Sequence, residues 1–256
     1  MSGYLEPQRV SVRDIPHWAR QSWQLLWRRP LGFFTASLAY HGLALSSQSI
    51  PWIALLLSVL LCYMLLLVVI VGAEAADHHR ALGAARIYAM LRRVIVNLAL
   101  LAALYLAIFI IAAVIAALLL PSMSGGEHPG REQLALLRWI EPGELSFMIL
   151  FMGIIVTSMW FLAPLLALHE LGLRDARGLA RRAFDKNDIV VLVASNVPFF
   201  TILGCALITQ VSVVLSLLLV PLFAIYQYVA YRHVFLGRRQ NAPRPARAVL
   251  GEAAFN

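Results

Sequence analysis

Charge, cysteine and catalytic signatures are what this sequence has least of. Only 13% of its 256 residues are charged, about half the share of an ordinary globular domain. Acids are scarcer than bases, 13 against 21, leaving a net charge of +8. The two cysteines, Cys62 and Cys205, lie singly inside hydrophobic runs with no CxxC spacing. That excludes a disulfide framework or a zinc site and leaves two small buried hydrophobes. There is no GxSxG, no HExxH, no glycine loop to cradle phosphate and no paired nucleophile and base. Catalysis therefore has no positive sign, and no cofactor or resident metal is expected. The first thirty residues contain Arg9, Arg13, Arg20, Arg28 and Arg29 and no unbroken apolar core. A cleavable signal peptide is not expected, so the first hydrophobic segment acts as its own insertion signal.

What is present is apolar side chain, 61% of the whole, gathered into long runs. Lipid explains such runs and a soluble core does not. The basic residues flank those runs rather than forming one patch, a pattern of membrane orientation and not of nucleic-acid binding. The stretch 174–235 organises the rest. It opens with the basic amphipathic ramp RDARGLARRAFDKND and continues into apolar residues interrupted by Asn196, Pro198, Gln210, Pro221 and Gln227. A ramp followed by a hydrophobic hairpin recurs at 13–72.

Taken in order, residues 1–12 read as unstructured. From Arg13, helical periodicity places Arg13, His17, Arg20, Gln21, Gln24 and Arg28 on one face and Ile15, Trp18, Ala19, Trp23 and Leu26 on the other. Tryptophans beside arginines suit a helix lying in the headgroup layer. Crossings are expected at 31–45, 52–72, 94–120, 145–168, 189–207 and 211–231. A turn at 46–51, a charged connector over 72–93 and an acidic outer loop at 121–144, with a short helix over 131–140, separate them. In the second ramp Ala176, Leu179, Ala180, Ala183 and Phe184 oppose Arg174, Arg177, Arg181 and Asp185. Residues 236–256 form a basic, proline-bearing tail read as disordered.

Nineteen of the 21 lysines and arginines fall in the N-terminal arm, the two connectors and the tail. Only Arg131 and Arg138 lie on the other face. By the positive-inside rule both termini are cytoplasmic. The expectation is an all-α integral membrane protein of six helices in three hairpins, with interfacial amphipathic helices.

Polar groups inside the membrane segments are the candidate ligand-binding positions: His41, Asn196, Gln210 and Gln227. A hydrogen-bonded structural histidine is the commoner reading of His41, which has no second histidine at its depth for a haem. Prolines 164, 198 and 221 read as kinks more readily than as broken helices of a transport site. Glu74, Asp77, His78, His79, His169 and Glu170 offer metal-ligand chemistry at no recognised spacing, and solvated helix ends are the commoner reading. The expected membrane-surface or partner-docking residues are Arg13, Trp18, Arg20, Trp23, Arg177 and Arg181.

The segment LAPLLALHELGLRDARGLARRAFDKNDIVVLVASNVPFF and the closing IYQYVAYRHVF resemble bacterial inner-membrane proteins of the YciC-like type. They are also similar to the membrane domain attached to some glycerophosphodiester phosphodiesterases. The resemblance rests on Pro164, Ala176, Ala180, Ala183, Asn196, Tyr231 and Arg232, and implies a six-helix bundle with interfacial ramps. It implies no activity, because the phosphodiesterase catalytic domain is absent. The function expected is a non-catalytic accessory, assembly or partner-binding component of the cell envelope. Its expected partners are the bilayer, anionic phospholipid headgroups and a membrane protein, with no nucleic acid. The alternative is a small transporter or lipid-handling protein with a site near helices four to six.

Overall fold

A chain this rich in leucine and alanine meets its backbone hydrogen bonds most simply within helices. The computed structural model describes residues 5–46, 51–119, 157, 160–169, 171–207 and 212–237. Among them there are helices and no strand, so the expected all-α class is what the protein has. Ser11 opens the ordered chain: its backbone N–H donates to Asp14 Oδ2 at 2.9 Å and its hydroxyl accepts from the Arg13 N–H. This caps a 3-10 turn, Val12–Asp14, that leads into α1, Ile15–Arg28, with proline in its first turn. The helix stops at Arg29 (φ −144°), because the residue before Pro30 is driven out of helical conformation. Then follow α2 (Pro30–Ser46), α3 (Pro51–Asp77) and α4 (Ala84–Leu119). A short α5 (Leu162–Leu168), α6 (Leu173–Leu207) and α7 (Ser212–Tyr231) come next. A π-helical turn, Arg232–Leu236, ends at Gly237, whose φ of +65° favours glycine.

Helix α7 is the axis of the bundle, packing against α1, α2, α3, α5 and α6. Residues 224 to 231 are all buried, and a helix enclosed on every side must be apolar all round. Tyr228, Tyr231 and Ile225 from this helix meet Leu67, Ile70, Trp160, Phe161 and Leu165 in the core. Close approach of α2 and α3 depends on Gly72: a Cβ there would stand 3.2 Å from Phe33 Cε1.

Several boundaries differ from the expectation. Residues 5–11 are not loose but tied down by hydrogen bonds to α6 and the end of α7. Helix α3 runs past residue 72 to Asp77, and α4 starts at Ala84 rather than 94, so most of the charged connector is helical. Ion pairs on the extra turns allow this, since helix can continue where its polar side chains find partners. The second ramp and the fifth crossing join into α6, broken only at Asn187 (φ −139°, ψ 32°). Among the described residues one helix, Leu217–Leu236, is long and apolar enough to cross a membrane, and 56% of it is buried within the bundle. Most of the expected fourth crossing, the outer loop with its short helix, and the tail lie outside the described residues.

Candidate functional site: a polar collar at one end of the bundle

Two acids near the end of α3, Glu74 and Asp77, lie three residues apart and so on one side of the helix. Acids at a helix C-terminus are disfavoured by the helix dipole, and both are mostly removed from water. Each is offset by arginine from another element. Asp77 Oδ2 accepts from the Tyr228 hydroxyl at 2.9 Å and from Arg232 Nη1, while Arg28 Nη1 stands 3.9 Å from Oδ1. Arg232 also donates through Nη2 to Gln21 Oε1 at 2.6 Å. Asp77 thus ties α1, α3 and α7 together through one carboxylate. Glu74 pairs with Arg86 Nη2 at 2.8 Å, and His78 approaches it to 4.0 Å. Arg29 Nη2 donates to the Arg80 carbonyl at 2.5 Å, linking the start of α2 to the loop after α3.

His169 caps the C-terminal end of α5, and its Nε2 shares a hydrogen bond with the Tyr231 hydroxyl. Burial is the main cause that lowers its pKa below the ordinary histidine value, and the positive charge of Arg93 adds to it. Both favour the neutral ring. Asp77 therefore faces two arginines and a phenol, and Glu74 one arginine. No group of three or more potential metal ligands gathers among the described residues, and Glu170 lies outside them. The chemistry of this collar is charge neutralisation and helix clasping.

The N-terminal segment closes the collar. Asn187 accepts from the Val10 N–H at 2.8 Å and donates to the carbonyls of Gln8 (3.0 Å) and Ala183 (3.1 Å). Gln8 N–H donates to the Val234 carbonyl at 2.7 Å. Lys186 adds an ion pair to Glu6 at 3.0 Å, worth little because both groups are exposed. The break in α6 therefore coincides with an amide that reads the backbone of residues 8 and 10.

The expected surface residues divide. Arg13, Arg20, Arg177 and Arg181 are exposed. In α6 they stand opposite Ala176, Leu179, Ala180 and Ala183, which are buried as the ramp pattern expects. Trp18 is not at the surface: it is 1% exposed and packs against Tyr226 and His233. Trp23 is 44% exposed and stacks edge-on with Trp27 at 5.6 Å. Five residues separate Trp18 from Trp23, about 140° around a helix, so the two cannot share a face. The buried side of α1 is Trp18, Ser22, Leu25 and Leu26.

The candidate ligand-binding positions are mostly engaged. His41 Nδ1 donates to the Ser37 carbonyl at 2.7 Å within its own helix. Asn196 Nδ2 donates to Thr157 Oγ1 at 2.8 Å, and Thr157 in turn bonds Ser195 Oγ at 2.9 Å. This is a clasp between two segments, beside Pro198 of α6. Gln227 is 3% exposed, and its Oε1 has no donor among the described residues. Gln210 lies outside the described residues. Sequence reading missed Asn187, Gln21 and the partnership of Asp77 with Arg232. The signal for the last was visible as an acid and an arginine each closing an apolar run.

No protein-family profile matches this chain, and comparison with curated proteins and with solved structures returns no match.

Proposed function

We propose that the protein is a non-catalytic, multi-pass component of a bacterial inner membrane, with six crossings and both termini in the cytoplasm, acting by docking a partner on its basic cytoplasmic face. The observation that carries this reading is the placement of the α6 ramp. Its small residues are buried against the bundle, and Arg174, Arg177, Arg181 and Arg182 are exposed beside them. Beyond the collar, large apolar side chains stand exposed on α2, α4 and α6: Leu38, Val96, Leu100, Ile111, Leu192 and Val197. A soluble monomer rarely exposes so much apolar surface, whereas lipid would cover it. The resemblance to YciC-like proteins supports the same architecture, and the alanines on which it rests are all buried.

Charge reversal at Arg177 and Arg181 tests the docking. Purification from the native membrane in mild detergent, followed by mass spectrometry of what stays bound, should show a stoichiometric protein with the parent chain and its loss with Arg177→Glu/Arg181→Glu. Retention of the same partner by the reversed variant would refute the assignment of this face.

A second reading, a small transporter or lipid-handling protein, draws support from Gln227, whose buried carbonyl has no donor among the described residues. Gln227→Leu separates the two. Removing an unsatisfied buried acceptor stabilises by about 1 kcal/mol under the non-catalytic reading, while a substrate site would lose its transport phenotype.

A further inference from the structure

Helix α1 has two faces that the structure treats differently. One is sealed against α7 by Trp18, Ser22, Leu25 and Leu26. The opposite face carries Arg20, Trp23, Gln24 and Trp27, all exposed and spaced so that they fall along one line of the helix. Two indoles left in the open, 44% and 54% exposed and packed edge-on with each other, place about the most costly apolar area a helix can expose. The chain then turns at Arg29 into α2, where Leu31 and Leu38, on one face of that helix, are 82% and 62% exposed. No acid occurs in Ile15–Arg28. The face thus carries a cation and two indoles, and the join with α2 adds Arg28, Arg29 and exposed leucines, the kinds of group that meet the headgroup, interfacial and acyl regions of a phospholipid.

We propose that this face binds one anionic phospholipid of the cytoplasmic leaflet. Arg20 and Gln24 hold the phosphate, Trp23 and Trp27 sit at the level of the glycerol and ester groups, and an acyl chain lies along Leu31 and Leu38. This rests on the membrane reading above and deepens it, because it names the ligand of the N-terminal ramp. Charge favours lipid over a protein partner here. An acidic protein would satisfy Arg20, but it would not account for exposed apolar side chains on both α1 and α2.

The test uses the full chain in nanodiscs of brominated phosphatidylcholine, with or without brominated phosphatidylglycerol. Trp23→Phe/Trp27→Phe isolates the emission of these two indoles by difference. The expected result is stronger quenching by the anionic lipid than by the zwitterionic one, seen only when Trp23 and Trp27 are present. Arg20→Gln should weaken the apparent affinity for phosphatidylglycerol by about five-fold, the worth of one cation near an anionic surface. Gln24→Ala, equally exposed and harmless to folding, should weaken it in the same direction. Equal quenching by both lipids overturns headgroup binding. Absence of quenching, with the chain still resisting carbonate extraction from membranes, overturns the lipid assignment and leaves the membrane reading standing. Extraction of the native chain by carbonate overturns both.

Discussion

Asp77 gives the sharpest test of how the bundle is held together. Its carboxylate accepts from Tyr228 and Arg232 and faces Arg28, while its own side chain is 15% exposed and that of Arg232 13%. Removing one partner of a buried ion pair costs about 3–5 kcal/mol. Residual exposure and the second bond of Arg232 to Gln21 place Asp77→Ala near the lower bound, at about 3 kcal/mol. Asp77→Asn keeps the shape and one acceptor, and should cost about half as much. A cost of about 3 kcal/mol corresponds to a fall of about 6–12 °C in Tm for a chain of this size. The measurement is thermal unfolding in detergent for Asp77→Ala, Arg232→Ala and the double variant. Because the two groups share one interaction, the double variant should be less destabilised than the sum of the singles, by about 2 kcal/mol. Simple additivity would show that the carboxylate and guanidinium do not depend on each other, and the account of the collar would be wrong.

Three further outcomes follow from the same geometry. His169 has a pKa depressed by burial and by Arg93, so its contribution is complete above the unfolded value near 6.5 and is lost as pH falls through the lower folded value; His169→Gln should therefore lose less stability than the parent between pH 7 and pH 5 in detergent melts, and an identical pH slope would contradict this. Asn187→Ala removes three hydrogen bonds, two of them to residues 8 and 10, so it should cost about 2 kcal/mol and expose the N-terminal segment to limited proteolysis before the core is cut; unchanged cleavage kinetics would dismiss the strap. Trp18→Ala, at a site 1% exposed, should cost about 3–5 kcal/mol, whereas Trp23→Ala should move stability by less than about 0.5 kcal/mol, as read by the same melts; equal effects would mean that α1 packs the other way round.

The helical runs were legible because their cause is local. Leucine, alanine and valine in long runs between arginine-rich connectors admit little else, and the observed helices begin or end near the expected proline and polar positions. The second ramp was legible for the same reason: its alternation of alanine and arginine has a 3.6-residue period, and Ala176 and Ala183 are fully buried where that period puts them. The first ramp was only half legible. Its periodicity was right, but a tryptophan is large enough to be counted as apolar wherever it falls, and only the packing of α7 against Trp18 separates it from Trp23. Residues 5–11 carry no periodicity at all, so nothing local marks them as held. Their order comes from distant partners, Asn187, which is 177 residues from Val10 in sequence, and the Val234 carbonyl.

Composition and spacing alone determined that the chain is helical, that its apolar mass is divided into segments, and that its cations gather between those segments. Those properties follow from backbone hydrogen bonding and from side-chain period, which are set within a few residues. Tertiary structure alone decided that α7 is the axis, that Glu74 and Asp77 face arginines of other elements, and which tryptophan meets the outside. Each of these depends on which elements lie beside one another, and ion pairs between residues 155 positions apart, as between Asp77 and Arg232, leave no trace in local sequence.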